Sequence, residues 1–314
     1  MKKVLITPRS FAKYNKDHVI NLFHNAEIDP VFNETGSIYT EERLIEAVEA
    51  VDGIIVGVDP ITENVINHAP KLKTIAKYGV GIDNIALDLA KKRNITITRT
   101  LGANASSVAD YDFALLMAVA RRVVEINNAA KENIDWSKKM ALDIYGKTIG
   151  ILGLGATGRE TVKRAQGFAM DIYGYDIYED KAYLEENNIK FTQDLTTIFK
   201  ECDFISLHIP LTEDTHHLIN KDLFAIAKPN LVLTNTARGG IINEEDLYEA
   251  LANKRIFGAG IDAFEQEPLE NSPLLDLDNL IIGTHTAASS VGASEQMTLQ
   301  ATQNIINELN ETSN

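Results

Sequence analysis

The sequence predicts an α/β protein that contains two doubly wound parallel sheets. Short apolar segments alternate with longer stretches of helical pattern along the chain, which is typical of parallel β-sheets flanked by helices. The alternation is interrupted by a long, mostly apolar stretch, Ala105–Arg122, and restarts at Lys147. A chain of 314 residues is long enough for two domains with separate buried cores.

The first series predicts four strands and three helices. The strand segments are Val4–Thr7, Gly53–Val58, Thr74–Lys77 and Ile95–Arg99. The helical segments lie between them, at Lys13–His24, at Glu41–Val51 behind a capping Thr40, and at Asp88–Arg93.

The second series predicts six strands, at Thr148–Leu152, Asp171–Tyr175, Phe204–His208, Leu231–Asn235, Gly258–Asp262 and Leu280–Gly283. The stretch Ala105–Arg122 is too short to span a membrane and contains two acids, so we interpret it as a buried helix that joins the domains. The final segment, Gln296–Leu309, has a helical pattern and can cross back to the first domain.

A glycine-rich turn follows the first strand of the second series. Gly153, Gly155 and Gly158 form a G-x-G-x-x-G pattern that opens a helix-compatible segment. The first glycine permits a tight turn, the second lets the backbone approach a pyrophosphate, and the third lets helix and strand pack closely. The phosphates are expected at the helix N-terminus. This context favours a Rossmann dinucleotide-binding domain over an ordinary strand-to-helix turn.

Asp176 indicates which dinucleotide binds. It ends the second strand of this series, 18 residues after Gly158, where a carboxylate meets the adenine ribose hydroxyls. A 2′-phosphate needs a nearby cation and is repelled by a carboxylate, yet the first positive charge after Asp176 is Lys181. The sequence therefore predicts NAD as the cofactor rather than NADP.

These features place the Rossmann domain at residues 102–287. The remaining residues, 1–101 and 288–314, are expected to form a discontinuous, flavodoxin-like substrate domain, because the last helix can return to the first sheet. The two domains are expected to close a cleft by hinging near Leu101 and Ala288.

Composition restricts the partners. The net charge of −15 argues against nucleic acid and against anionic membranes, since both need a basic surface. The single cysteine, Cys202, excludes an intramolecular disulfide and a cysteine-based zinc site. The apolar run after Met1 is too short for a signal peptide, so we expect a cytoplasmic protein.

Three polar side chains follow late strands of the second series. Arg238, Glu267 and His285 are separated by about one β-α step each, and the carboxyl ends of parallel strands meet at one sheet edge. Histidine can supply the proton that must accompany hydride transfer to a carbonyl group. A carboxylate on the other ring nitrogen fixes the tautomer, and arginine suits a substrate carboxylate. Taken singly, each has a structural alternative, namely a surface ion pair, a solvated acid and a structural hydrogen bond.

At these positions the chain resembles the NAD-dependent D-isomer specific 2-hydroxyacid dehydrogenases, and in particular short D-3-phosphoglycerate dehydrogenases without a regulatory domain. The resemblance covers nearly the whole length. Besides the glycine pattern and His285, it is carried by the segments Gly79–Asn84, Ser107–Asp110, Leu207–Thr212, Asn235–Gly239 and Asp262–Pro268.

The resemblance implies roles for further residues. It makes Arg238, Glu267 and His285 catalytic, and it implies a homodimer with an exchanged arm at Arg122–Tyr145. Besides the three glycines and Asp176, the residues implied to bind NAD are Ala156, Thr157, Ile209, Pro210, Thr236, Ala237, Asp262 and Ala288. Those implied to bind the substrate, together with Arg238, are Lys77, Val80, Gly81 and Asn104.

The chain departs from the family pattern at several positions. Ala156 stands where arginine is common, Thr284 replaces a proline before the histidine, and Asn243 replaces an acid. Gly57 and Lys77 fall where human-type phosphoglycerate dehydrogenases carry arginines. A phosphate needs several cations, so hydroxypyruvate and glyoxylate stay open as substrates beside phosphoglycerate.

The sequence disfavours two other functions and predicts no metal site. A nucleotide-sensing corepressor on this scaffold is disfavoured by the complete Arg-Glu-His set, and a formate dehydrogenase by Glu267 in place of glutamine. His208 is expected to pack at a strand end, and His216 and His217 have no ligand partners at metal spacing. We therefore expect a small 2-keto or 2-hydroxy acid as substrate and no catalytic metal.

Overall fold

The computed structural model describes residues 1–132 and 135–311. The chain divides into two units. The first contains residues 1–104 together with the C-terminal segment that begins at Ser289, and the second contains Ala105–Ala288.

The first unit is built on a five-stranded parallel sheet. Its strands are β1 (Lys2–Ile6), β2 (Ile28–Phe32), β3 (Gly53–Val56), β4 (Thr74–Lys77) and β5 (Thr96–Arg99). They are ordered β2-β1-β3-β4-β5, so the chain moves outward from β1 first to one side and then to the other. This doubly wound order agrees with the predicted class.

Helices cover the first sheet. They are α1 (Lys16–Asn25), α2 (Glu41–Val48), α3 (Glu63–Asn67), α4 (Leu87–Lys92) and, from the other end of the chain, α12 (Val291–Glu311). Thr40 caps α2 as predicted, because its side chain accepts from the Arg43 N–H. The apolar face of α12 is buried on this sheet: Ala301 and Ile305 are fully buried, and Ile305 packs over Gly53 of β3.

The second unit is built on a seven-stranded parallel sheet. Its strands are β6 (Thr148–Leu152), β7 (Asp171–Tyr175), β8 (Lys190–Phe191), β9 (Phe204–Leu207), β10 (Val232–Asn235), β11 (Gly258–Ile261) and β12 (Leu280–Ile282). The order is β12-β11-β10-β9-β6-β7-β8. The chain reverses direction between β6 and β9, and ligands bind at such a switch point, beyond the carboxyl ends of the strands.

The helices of the second unit include the long apolar one that the sequence predicts. They are α5 (Ala105–Ala120), α6 (Val123–Lys131), α7 (Ala156–Gly167), α8 (Lys181–Glu186), α9 (Leu195–Glu201), α10 (Lys221–Ile226) and α11 (Glu244–Ala252), and a short 3₁₀ helix spans Pro273–Asp276. Helix α5 packs on β10 and β11, where Leu115 lies against Gly260.

Two strands are not predicted by the sequence, for a physical reason. Strand β2 contains Asp29 and Pro30, and β8 has only two residues, so neither shows a sustained apolar run. Both lie at sheet edges, where proline and short pairing are tolerated because only one side is hydrogen-bonded. The predicted helices at Lys13 and Glu41 were each about three residues too long at one end.

Cys202 is buried between α9 and β9, as expected for a small core residue. Burial raises the pKa of this thiol to about 12, so it is uncharged at neutral pH. Within the described part of the chain, no helix is both long and apolar enough to cross a membrane.

Candidate functional site

The glycine turn between β6 and α7 is closed by direct backbone packing. Gly153 has a φ of +98°, which a side chain would strain. A Cβ atom added to Gly158 would lie 1.8 Å from the Gly153 carbonyl oxygen. No side chain larger than hydrogen fits at Gly158, and this is the role that the sequence predicts for the third glycine.

The second glycine of the turn faces open space. A Cβ added to Gly155 would have no neighbour within 4 Å, and no side chain caps α7, which begins at the next residue. An uncapped helix N-terminus beside an open backbone is a site for an anion. The turn therefore fits the pyrophosphate of a dinucleotide, with Ala156 and Thr157 in the first turn of the helix.

Asp176 lies immediately after β7, beside this turn. One carboxylate oxygen accepts the Leu154 N–H at 2.7 Å, and the other accepts the Tyr178 N–H at 3.0 Å. These hydrogen bonds fix the carboxylate at the carboxyl end of the strand. Each oxygen has a further lone pair, so the carboxylate can still accept a ribose hydroxyl.

Arg238, Glu267 and His285 lie on the loops that follow β10, β11 and β12. These strands are neighbours in the sheet, so their carboxyl ends are adjacent. The Arg238 and Glu267 loops also pack directly against each other, since a Cβ at Gly239 would lie 2.0 Å from the Phe264 carbonyl oxygen. Three groups that are remote in sequence are thus carried on neighbouring loops.

His285 and Glu267 form a direct pair. The Nδ1 atom of His285 lies 2.8 Å from one carboxylate oxygen of Glu267 and 3.1 Å from the other. The first of these oxygens belongs to a charged pair whenever the ring is protonated. The pairing fixes Nδ1 as the donor to Glu267, which directs Nε2 away from the carboxylate. Both side chains are partly exposed, so a ligand can reach the ring.

The buried carboxylate of Asp262 holds the loop that carries His285. Its oxygens accept the N–H groups of Thr286 at 3.0 Å and Ala287 at 2.9 Å, and its backbone carbonyl accepts the His285 N–H at 2.8 Å. Gly283 makes room for this arrangement, because a Cβ there would lie 2.1 Å from an Asp262 oxygen. The sequence analysis had assigned Asp262 only to cofactor contact.

Glu244 supports the neighbouring loop and was missed by the sequence analysis. It lies in the first turn of α11, after the Asn243 cap, and accepts the Glu265 N–H at 2.7 Å. Burial raises the pKa of Glu244. Glu267 itself accepts the Phe264 N–H at 3.0 Å, so side chains bind the backbone of this loop at both Phe264 and Glu265. Acidic residues are common in the first turn of a helix, so the position of Glu244 in the sequence does not indicate this contact.

The loop around Arg238 has its own internal hydrogen bonds. Asn235 donates from its side chain to the Arg238 carbonyl at 2.8 Å and accepts the Ala237 N–H at 3.0 Å. The Arg238 guanidinium donates to the Ala237 carbonyl at 2.7 Å. Thr236 and Ala237, predicted cofactor contacts, lie within this turn at the end of β10.

His208 belongs to a buried polar network behind the glycine turn. Its Nε2 atom lies 2.8 Å from the Ser206 hydroxyl and 3.0 Å from the Thr161 hydroxyl, and Ser206 donates to Asp112 of α5 at 2.7 Å. Burial lowers the pKa of His208 and raises that of Asp112. His208 therefore packs at a strand end, as predicted. The next residues, Ile209 and Pro210, were predicted to contact the cofactor and follow β9.

Apart from Arg238, the predicted substrate residues lie in the first unit, and Lys77 is already engaged there. Its Nζ atom donates to the Gly57 carbonyl at 2.5 Å and to the Asn84 side chain at 2.6 Å, and the side chain is buried. Val80 is exposed, whereas Gly81 and Asn104 are half-buried. Lys77 thus links the loop after β3, which contains Gly57, to the loop after β4, which contains Asn84.

The histidine pair on the polar loop is stacked. The rings of His216 and His217 are 3.9 Å apart, and His217 Nε2 lies 2.8 Å from a Glu265 oxygen. Among the described residues, no group of three or more histidine, cysteine or acidic side chains could hold a metal ion.

One protein family matches the second unit. The family described as D-isomer specific 2-hydroxyacid dehydrogenase, NAD binding domain, matches residues 113–287. Over 274 residues the chain is 40% identical to a glyoxylate reductase of Korarchaeum cryptofilum, covering 85% of this chain and 82% of the relative. It is 38% identical to a hydroxypyruvate reductase of Thermotoga maritima, with 86% and 88% covered.

A longer relative covers a similar share of the chain. The D-3-phosphoglycerate dehydrogenase of Methanocaldococcus jannaschii is 38% identical over 265 residues, which are 83% of this chain. The chain spans half the length of that relative.

Solved structures share the fold over nearly the whole length. A protein of Thermus thermophilus superposes with a TM-score of 0.88 at 32% identity, covering 98% of this chain and 97% of the other. D-lactate dehydrogenase from Aquifex aeolicus, complexed with NAD and lactic acid, gives 0.81 at 26% identity, with 97% and 94% covered. An acyclic imino acid reductase in complex with NADPH and D-Arg gives 0.86 at 28%, with 98% and 97% covered.

The two glycines of the turn are expected to respond differently to alanine. Gly158→Ala forces backbone atoms apart and should lower stability by about 1–3 kcal/mol, as overpacking does. Gly155→Ala has space in the free protein and should leave the melting temperature nearly unchanged, but weaken NADH binding about tenfold or more by blocking the pyrophosphate. Thermal unfolding and NADH fluorescence titration measure the two effects.

Gly167→Ala serves as the matched control, because it lies at the end of the same helix with nothing within 4 Å. It should change neither quantity. Equal NADH affinity for Gly155→Ala and the wild type would contradict the assignment of the pyrophosphate to this turn.

Proposed function

Because this chain belongs to the D-isomer specific 2-hydroxyacid dehydrogenases, whose NAD-binding domain it contains, we propose that it reduces a small 2-keto acid with NADH. The observation that carries the proposal is the bond between His285 Nδ1 and the Glu267 carboxylate, beside the loop of Arg238. The family and its named relatives favour an enzyme over a corepressor-like binding protein.

His285 is the proposed proton donor. Since Nδ1 is held by Glu267, the proton passes from Nε2 to the carbonyl oxygen of the substrate. When bound at the glycine turn, NADH would supply the hydride that reduces the carbonyl carbon, which converts the keto acid to a hydroxy acid. Glu267 stabilises the charged ring before transfer, and the Asp262 hydrogen bonds keep the His285 loop in place.

Arg238 is the proposed carboxylate ligand. It lies at the carboxyl end of β10, and its planar guanidinium can bind a carboxylate and an adjacent carbonyl oxygen. This binding orients the keto acid and polarises its carbonyl group. The Asn235 hydrogen bonds fix the backbone from which Arg238 extends.

The substrate is proposed to be an unphosphorylated 2-keto acid such as glyoxylate or hydroxypyruvate. Lys77, the cation considered for a substrate phosphate, is buried and donates to Gly57 and Asn84, and a glycine occupies position 57. A phosphate dianion needs charge-assisted contacts to offset its desolvation. The protein's net charge of −15 adds to that requirement.

Replacing His285 by alanine should lower kcat for keto acid reduction by at least about a hundredfold, the usual contribution of a general acid. NADH should still bind with near-normal affinity. Stopped-flow turnover and NADH titration separate these quantities, and near-normal kcat in the variant would refute the proton-donor assignment.

Glu267→Gln keeps the shape of the pair but removes its charge. Its kcat should fall about tenfold, because the neutral amide cannot stabilise the positive charge on the ring. Glu265→Gln removes the same charge from the same loop and should stay within about twofold of the wild type. A kcat for Glu267→Gln within about twofold of the wild type would contradict the proposed role.

Hydroxypyruvate and phosphohydroxypyruvate are a matched pair that differs only in the phosphate. We expect kcat/KM for the unphosphorylated acid to be at least about tenfold higher, corresponding to the loss of about one charge-assisted hydrogen bond. Glyoxylate is expected to behave like hydroxypyruvate. NADH oxidation rates at several substrate concentrations measure this, and a preference for the phosphorylated acid would overturn the proposed substrate class.

The protein is further proposed to be a homodimer joined through the arm Arg122–Tyr145. Helix α6 has no buried residue, although Val123, Val124 and Ile126 are apolar. Farther along, Trp136 is 80% exposed and Met140 is 87% exposed. So much apolar surface on one segment is typical of an interface. Residues 133 and 134 of the arm lie outside the described residues.

The double variant Trp136→Asp/Met140→Asp should sediment as a monomer, because charges replace the apolar contacts of the arm. Leu275→Asp, also at an exposed apolar residue, should leave the wild-type mass unchanged. A wild-type protein that is monomeric at micromolar concentration would contradict the proposal. The cytoplasmic location and the lack of nucleic-acid and membrane partners stay predictions from the sequence.

A further inference from the structure

Arg159 is the first residue after the third glycine of the turn, and its guanidinium is held in place. Its Nε atom donates to the Leu154 carbonyl at 3.0 Å. One terminal nitrogen lies 2.7 Å from an Asp180 carboxylate oxygen, and the group stacks at 4.0 Å on the ring of Tyr183. The Arg159 side chain is nevertheless 41% exposed and that of Asp180 34% exposed, so a ligand can reach both.

Arg159 and Asp176 are hydrogen-bonded to the same residue. Leu154 donates its N–H to the Asp176 carboxylate at 2.7 Å and accepts from Arg159 through its carbonyl. The guanidinium and the carboxylate at which the adenine ribose is expected are therefore both anchored on Leu154 of the glycine turn. A group attached to the ribose 2′ position would encounter both.

Asp180 neutralises this guanidinium. The hydrogen bond from Arg159 lowers the pKa of the Asp180 carboxyl, so the acid is charged at neutral pH. Asp180 also caps α8 by accepting the Tyr183 N–H at 3.2 Å. The Arg159 guanidinium is thus engaged by an acid that the helix cap fixes in place.

We propose that Arg159 is a latent ligand for the 2′-phosphate of NADP(H), and that Asp180 acts with Asp176 to restrict the protein to NAD. This inference rests on the proposed dinucleotide site. Asp176 repels a 2′-phosphate, and Asp180 occupies the guanidinium that would otherwise bind it. Arginine binds phosphate through paired, charge-assisted hydrogen bonds, so its release should create affinity rather than merely remove repulsion.

Asparagine is the suitable replacement at both positions. At residue 180 it caps a helix about as well as aspartate, so α8 should be preserved. At residue 176 it keeps an acceptor for the Leu154 N–H and adds a donor. Neither change creates a cavity, and the melting temperature reports any loss of folding.

The experiment compares the wild type, Asp176→Asn, Asp180→Asn and the double variant. Isothermal titration with 2′,5′-ADP measures phosphate recognition directly, and kcat/KM with NADPH and NADH measures its use. Asp180→Asn should strengthen 2′,5′-ADP binding about tenfold in the Asp176→Asn background, the effect expected of a charge-assisted hydrogen bond. Binding of 5′-AMP, which lacks the 2′-phosphate, should change little.

Adding Arg159→Gln to the double variant should abolish the gain from Asp180→Asn. Adding Lys163→Gln should not, because that lysine carries the same charge on the same helix but pairs with Glu160. A gain that persists with Arg159→Gln, or that disappears equally with Lys163→Gln, would overturn the role of Arg159. The role of Arg159 would also be overturned if the double variant bound 2′,5′-ADP no more tightly than Asp176→Asn does.

The binding measurement separates this inference from the proposed function. If 2′,5′-ADP binding follows the expected order while no variant reduces any 2-keto acid, the role of Arg159 stands and the proposed reaction fails. If keto acids are reduced with NADH but the affinity for 2′,5′-ADP does not depend on residues 159 and 180, the proposed reaction stands and the role of Arg159 fails.

Discussion

The candidate active site depends on one buried carboxylate, that of Asp262. Its two oxygens accept the backbone N–H groups of Thr286 and Ala287, and its own carbonyl accepts that of His285. His285 itself has a φ of +54°, a conformation that costs a non-glycine residue energy. These three hydrogen bonds hold the backbone there, and the ring is thereby held against Glu267. The proposed proton donor is therefore positioned mainly by hydrogen bonds to the backbone of its loop.

The sequence predicts the class of the fold and most of the central strands. Strands β4, β6 and β7 have the predicted limits. Strands β4 and β6 are almost entirely buried, whereas in β7 only Ile172 and Gly174 are buried, in alternation with more exposed residues. Strand β2 could not be predicted from its pattern, since an edge strand tolerates the proline and aspartate that argue against a central one. A short apolar run indicates a strand that is buried on both faces, and the strands at the sheet edges are not buried in this way.

The candidate site was predictable in its principal residues but not in their support. Glycine spacing and strand ends indicate the dinucleotide turn and the Arg-Glu-His set, because both are tied to the ends of parallel strands. The contacts of Asp262, Glu244 and Lys77 depend on which loops become neighbours. Lys77 shows the difference best: a lysine suitable for a phosphate is instead a buried donor to the loops after β3 and β4.

The route of the chain through the first unit has a consequence for biosynthesis. The sheet of that unit is complete by Arg99, yet its face at Gly53 is covered by Ile305 of α12. About two hundred residues must therefore leave the ribosome before this apolar face can be covered, whereas the contiguous unit from Ala105 to Ala288 can fold as it emerges. The sheet of the first unit is thus synthesised before the second unit but reaches its native packing after it, and until then its apolar face is open to aggregation and to chaperones.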